Sequence, residues 1–286
     1  MPEPVTQTLD VPGATLTYDV RGDLAQRPVV LMIGSPMGAS GFPTLASHFE
    51  DRTVVTYDPR GVERSARSGE LGELSPDDHA GDLAALIEHL DVGPVDIFAS
   101  SGGAVNALAL TARRPDLIHK LVAHEPPLAG ILPDSEAALA AVTDMYETYQ
   151  RDGMGAGMAK FITLVSYDGE IPADYTQQPA PNPAMFGLPV DDDGSRDDAL
   201  LGQNLRGCTS YQPDFGALDK AADRIVVGVG EESGNALAGR GGRAVAERLG
   251  LTPVVFPSGH GGFLGNEYGQ PGKPVEFAAT LREVLG

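Results

Sequence analysis

Six short, mainly apolar runs set the terms for this chain: PVVLMIG, RTVVTYD, VDIFA, KLVAHE, RIVVGVG and PVVFP. None keeps the strict alternation of a strand with one wet face, so both faces of each need cover. Stretches with helical periodicity follow them: FPTLASHFE; Leu83, Leu86, Ile87 and Leu90 behind a Ser75-Pro76-Asp77-Asp78 start; AVNALALTARR; Gly241 to Leu249; and the closing VEFAATLREVL. This alternation predicts an α/β fold, a mostly parallel sheet flanked by helices on both faces. Val5 to Asp10 and Ala14 to Val20 alternate in β fashion around a Pro-Gly turn and read as an antiparallel edge.

The rhythm breaks after Glu125. About 95 residues pass before the next apolar strand run, RIVVGVG, far more than a connection within a compact α/β domain needs. Helical patches at Ser135 to Tyr149 and Gly155 to Leu164 lie in the gap, with a Pro- and Asp-rich stretch, QQPAPNPAMFGLPVDDDGSRDD, expected to be mobile. The reading is a core of residues 1–127 and 216–286 carrying a mainly helical insertion, 128–215.

Composition excludes several classes of function. A formal charge of −20 repels nucleic acid phosphates and anionic membrane surfaces. One cysteine, Cys208, allows neither an internal disulfide nor a thiolate metal cluster. No run approaches the roughly 20 apolar residues of a membrane span, and MPEPVTQTLDVPG has no signal-peptide pattern. The expectation is a cytoplasmic protein with a small-molecule substrate and no metal; a homo-oligomer is compatible with such a surface. Gly228-Val229-Gly230 lacks the third glycine of a dinucleotide loop, and Asp191-Asp192-Asp193-Gly194 lacks the alternating ligands and closing glutamate of a calcium loop.

The stretch FASSGGA, residues 98–104, lies where the strand VDIFA gives way to a helix. A serine hydroxyl becomes a nucleophile when a base takes its proton and donors hold the resulting oxyanion. A strand-turn-helix elbow supplies that setting by exposing the side chain at the sheet's C-terminal edge, beside a helix N-terminus. The bend is cramped, so the residues two before and two after the nucleophile must be small. Ser101 puts Ala99 and Gly103 there, whereas Ser100 would put Phe98 in one place. The sterics select Ser101.

In this order of elements the chain resembles the α/β hydrolases, from its first strands to its last helix, the insertion being poorly covered. The family pattern G-x-S-x-G carries Ala99 in place of its first glycine. Tyr57 to Ser65, YDPRGVERS, resembles the family's Asp-x-Arg-Gly-x-Gly-x-Ser loop, with Glu63 where a glycine is usual. The family's base follows the last strand, where Ser258-Gly259-His260 stands. His48, His79 and His89 fall in helical runs, His119 precedes its strand, and His124 lies inside KLVAHE as a core residue. His260 is therefore the expected general base.

The family's usual aspartate would follow RIVVGVG, where the resemblance puts Ser233 in that place. A minority of relatives, including some haloalkane dehalogenases, place the carboxylate at the end of the preceding strand, where Glu125 ends VAHE here. Glu125 is favoured as the acid, with Glu231 or Glu232 as alternatives. The resemblance assigns the oxyanion donors to the Gly102 and Ser35 amides, since Pro36 has none. Met37, Met145, Tyr149 and Phe161 are candidates for an apolar substrate pocket, although helical spacing favours most such residues of the insertion as its own core. The insertion itself resembles the family's cap.

The implied function is cofactor-free serine hydrolysis of a carboxylic ester, lactone or thioester. A serine at 101 argues against the haloalkane dehalogenase and epoxide hydrolase chemistry that uses an aspartate nucleophile. Perhydrolysis of the cofactor-free haloperoxidase type and carbon–carbon bond hydrolysis use the same residues. A non-catalytic small-molecule-binding protein that kept the fold is the reading from another class.

Overall fold

The fold is described from a computed structural model covering residues 2–25, 28–69, 72–269 and 271–286. Its strands are β1 (Val5–Val11), β2 (Ala14–Arg21), β3 (Val29–Ile33), β4 (Thr53–Tyr57), β5 (Ala66–Arg67), β6 (Val95–Ser100), β7 (Ile118–His124), β8 (Ile225–Gly230) and β9 (Val254–Phe256). They form one sheet in the order β1-β2-β4-β3-β6-β7-β8-β9, with β5 paired to β2. From β4 to β9 every pairing is parallel, while β1, β2 and β5 pair antiparallel. The two-residue β5 is too short for a sequence period to show.

The apolar runs are continuous because successive side chains of a strand enter different cores. Leu31, Ile33, Ile97, Ala99, Leu121 and Ala123 pack on one face of the sheet. There they meet α2 (Pro76–Leu90), α3 (Gly102–Arg113) and α8 (Leu237–Arg248), through residues such as Leu83, Leu108 and Val245. Val30, Met32, Phe98 and Val122 pack on the other, against α1 (Pro43–Ser47) and α9 (Pro274–Leu285) through Leu45, Phe277 and Leu281.

Local chemistry sets where the helices begin. Ser75 caps α2 by accepting the Asp78 amide at 3.2 Å, Asp78 accepts the Ser75 amide at 2.9 Å, and Pro76 fills the first helical position. Helix α8 begins at Leu237, four residues before the Gly241 expected from sequence, because Gly239, Gly241 and Gly242 weaken its apparent helical signal. Glu63 holds the backbone of the glycine it replaces, with φ 47°, and accepts the Ser40 hydroxyl at 2.6 Å.

Between β7 and β8 the chain forms α4 (Ser135–Asp152), α5 (Met154–Val165), a π-helical stretch (Ala199–Asn204) continuing into α6 (Leu205–Ser210), and α7 (Phe215–Asp219). Ala138, Val142, Met145, Tyr149, Leu164 and Leu201 give this insertion its own core. Helix α7 packs through Leu218 into the sheet's core instead. Among the described residues no helix is long and apolar enough to cross a membrane.

A nearly buried ion pair ties the insertion to the sheet domain. Arg240 on α8 pairs with Asp134 just before α4, donates to the Gly169 carbonyl at 2.7 Å, and Asp134 also accepts the Ile171 amide at 2.6 Å. Asp134→Ala strands that guanidinium and is expected to cost about 3 to 5 kcal/mol. Urea denaturation at neutral pH measures this; an unchanged midpoint would mean that the pair contributes nothing.

Candidate active site

Strand register brings the site together. Ser100 pairs with His124, and His124 with Gly228, so Ser101, Glu125 and the end of β8 emerge at one level of the sheet edge. The ladder runs one step further: the Ser101 amide donates to the His124 carbonyl and the Glu125 amide to the Gly228 carbonyl, each at 3.0 Å.

Ser101 has φ 57° and ψ −127°, sparsely populated backbone for a side chain with a Cβ. It persists because β6 and α3 hold it from both sides, with the Ser101 carbonyl accepting the Ala104 amide at 2.9 Å. The bend is crowded, since a Cβ on Gly103 would lie 2.7 Å from the Ile33 carbonyl oxygen. A Cβ on Gly102 would lie 2.5 Å from the Ser35 carbonyl oxygen, which shows how closely the loop after β3 approaches the start of α3. The Gly102 amide sits in the first turn of α3, where no intrahelical acceptor exists.

His260, in the loop after β9, hydrogen-bonds through Nδ1 to Glu125 Oε2 at 2.7 Å. The carboxylate is fully buried, whereas the imidazole is 46% exposed and so within reach of a substrate. Glu125 Oε1 accepts the Gly230 amide at 2.8 Å. Burial is the largest influence on this carboxyl and opposes its ionisation. The His260 hydrogen bond, electrostatic interaction with the neighbouring His124 and His260 rings and the adjacent Ser233 hydroxyl together prevail, holding its pKa down at about 2. Ser233 Oγ is itself buried, with no hydrogen bond of normal geometry among the described residues.

Ser101, His260 and Glu125 line one cavity of about 840 Å³ between the sheet edge and the insertion, together with Gly102, Ser35, Met37 and Phe161. No hydrogen bond joins the Ser101 hydroxyl to His260 here; such contacts are commonly long before substrate binds. Met145 and Tyr149 do not line the cavity. They are 1% and 0% exposed inside the insertion's core, where the Tyr149 hydroxyl accepts the Asp198 amide at 3.1 Å. An insertion this small buries its own apolar face before offering any of it to a ligand.

Glu231 and Glu232 are exposed and form no hydrogen bond or ion pair with His260; Glu232 pairs with Lys273 at 2.6 Å and lines the cavity. His48, His79, His89 and His119 stay outside the cavity. His79 is buried against Asn204, and His119 bonds Asp96.

His124, expected in the core, lies beneath the site. Its ring is fully buried, stacks at 6.1 Å and 29° on His260, and meets the Ser100 hydroxyl at 3.2 Å through Nδ1. Sequence reasoning missed this contact, the Gly230 amide on Glu125, and the wall formed by Leu200, Asn204 and Leu205, whose apolar signal in ALLGQNL was lost in a polar stretch.

A sequence profile described as the alpha/beta hydrolase fold matches residues 27–162. An uncharacterised hydrolase of Bacillus subtilis (strain 168), YraK, is 29% identical over 264 residues, covering 90% of this chain and 89% of the relative. Among solved structures, a thermophilic esterase from Thermogutta terrifontis superposes with a TM-score of 0.67 at 19% identity, covering 99% of this chain and 98% of its own. An enol-lactonase from Burkholderia xenovorans LB400 gives 0.66 at 18%, covering 98% and 99%. The chain has the α/β-hydrolase fold.

Burial also pushes His124 down to about 4, with the Glu125 charge opposing. An unfolded histidine titrates near 6.5, so between about pH 6.5 and 4 the unfolded chain takes up a proton that the folded one refuses. Stability from this group is full above that window and falls as pH drops through it, by on the order of 3 kcal/mol. His124→Gln is expected to flatten the stability–pH curve there. Urea titrations at several pH values measure it, and equal slopes for both proteins would refute the assignment.

Proposed function

We propose that this chain is a cofactor-independent serine hydrolase that cleaves a carboxylic ester, lactone or thioester through an acyl-enzyme on Ser101. The observation that carries this reading is the 2.7 Å hydrogen bond between His260 and the buried Glu125 in the cavity that Ser101 lines. With Nδ1–H held by an ionised Glu125, His260 keeps Nε2 as the acceptor for the serine proton. Ser101 Oγ attacks the carbonyl carbon, its proton passes to Nε2, and the Gly102 and Ser35 amides stabilise the oxyanion. Collapse breaks the bond to the leaving group, which takes the proton from Nε2. Water, deprotonated by His260, then attacks the acyl-enzyme; Ser101 leaves with the proton and the carboxylic acid departs.

The similar esterase and enol-lactonase structures support acyl chemistry, as does a serine rather than an aspartate at the elbow. Residues 128–215 serve in this reading as a cap that encloses the acyl group, with Met37 and Phe161 on the apolar wall.

The test is peptide mapping after a fluorophosphonate, with turnover of p-nitrophenyl esters. A stoichiometric adduct on Ser101 that His260→Ala abolishes is the expected result. A folded wild-type protein with neither adduct nor turnover would instead favour a non-catalytic binding protein. Glu125→Gln is expected to lower kcat by about 10²- to 10⁴-fold, by analogy with the acid of other triads. Glu231→Gln and Glu232→Gln should stay near wild type; near-normal turnover in Glu125→Gln would remove Glu125 from the mechanism.

A further inference from the structure

The cavity's polar groups divide into two sets. Those at the sheet edge belong to the proposed chemistry. On the insertion side, Asn204 and Thr209 are already engaged with the protein, and the exposed Ser166 lies among apolar neighbours. Asn204 meets His79 Nε2 through Oδ1 and donates to the Ala199 carbonyl through Nδ2, each at 2.7 Å. The Thr209 hydroxyl donates to the Leu205 carbonyl at 2.8 Å. Around them the wall is hydrocarbon, from Val142, Phe161, Leu164, Leu205, Phe263 and Leu264. A polar group on the far part of a substrate would lose water there and find little in return.

The charged lining residues point the same way. Apart from Glu125 and His260 they are Asp168 and Glu232, and among the described lining residues none is Lys or Arg. Glu232 is compensated by Lys273, with both side chains about half exposed. Asp168 is exposed, accepts the Asn235 amide at 2.8 Å, and has no cationic partner among the described residues. Arg240 and Arg243 are nearby but spend donors on the Gly169 and Gly234 carbonyls, so an anion approaching this cavity meets the Asp168 carboxylate, an apolar wall inside and a chain of net charge −20.

Resting on the serine-hydrolase reading, we propose that the site selects uncharged, predominantly hydrocarbon acyl groups, and that Asp168 excludes substrates whose acyl part carries a carboxylate or phosphate. A volume of about 840 Å³ lies toward the upper end of the roughly 300–1,000 Å³ of small-molecule sites, with space for far more than an acetyl group. The reaction turns a neutral ester into an acid that ionises at neutral pH, so the charge that excludes anionic substrates also favours product departure.

The experiment compares kcat/KM for the mono-p-nitrophenyl ester of adipic acid with that of its methyl-capped, uncharged counterpart. Wild type is expected to favour the capped ester by at least about tenfold, more at low salt, where surface charges are less screened. Asp168→Asn keeps an acceptor for the Asn235 amide and should narrow the ratio; Asp168→Lys should narrow it further, chiefly through KM for the anionic ester. Equal kcat/KM for the two esters in wild type, or a ratio unmoved by Asp168→Asn, overturns the proposal while leaving the hydrolase reading standing. Loss of both turnovers with no fluorophosphonate adduct on folded wild-type protein overturns the hydrolase reading and this inference with it.

Discussion

The hydrogen-bonded register of β3, β6, β7 and β8 is the constraint on which the rest of this structure depends. Ile33 pairs with Ala99, Ser100 with His124, and His124 with Gly228, so three parallel connections leave the sheet at almost the same height. A shift of one residue in β7 would turn Glu125 to the opposite face, because strand side chains alternate with period two. Apolar packing prevents such a shift. Val122 and Ala123 are both fully buried in different cores, and neither core could accept the other's neighbours without leaving voids or burying a charge.

That rigidity makes a buried carboxylate tolerable. Glu125 is fully removed from solvent, which alone would favour its neutral form. It stays ionised because its oxygens have different partners: the Gly230 amide on Oε1 and the His260 ring on Oε2. One partner comes from β8 and the other from the loop after β9, so the acid is held by two elements far from it in sequence. Glu125 has φ 49°, an unusual conformation for a side chain of its size, fixed by the step from β7 into the insertion. The buried His124, whose burial disfavours its charged form, adds a flat floor under His260.

The insertion shows how a small added unit must serve two purposes. Most of its larger apolar residues, Met145 and Tyr149 included, make its own core, leaving few faces to meet a ligand. Those that do, such as Phe161 and Leu205, project from α5 and from the start of α6. Helical periodicity marks such residues as buried, but not whether neighbouring protein or a cavity receives them.

Much of this protein was legible in the chain. Continuous apolar runs imposed a two-sided sheet, helical periods and caps located its cover, and small residues around Ser101 chose one serine over its neighbour. The position of Glu125 at a strand end was readable too, as was the missing carboxylate at Ser233. Local sequence could not show pairings between distant segments: the Glu125–His260 hydrogen bond, the Gly230 amide, the stack of His124 on His260, or the absence of Lys and Arg among the described residues that line the cavity. Propensity and periodicity act over a few residues and so are written in the chain itself. Which side chains meet across the sheet edge, and which face a cavity rather than a core, depends on register and layer packing, which only the tertiary structure decides.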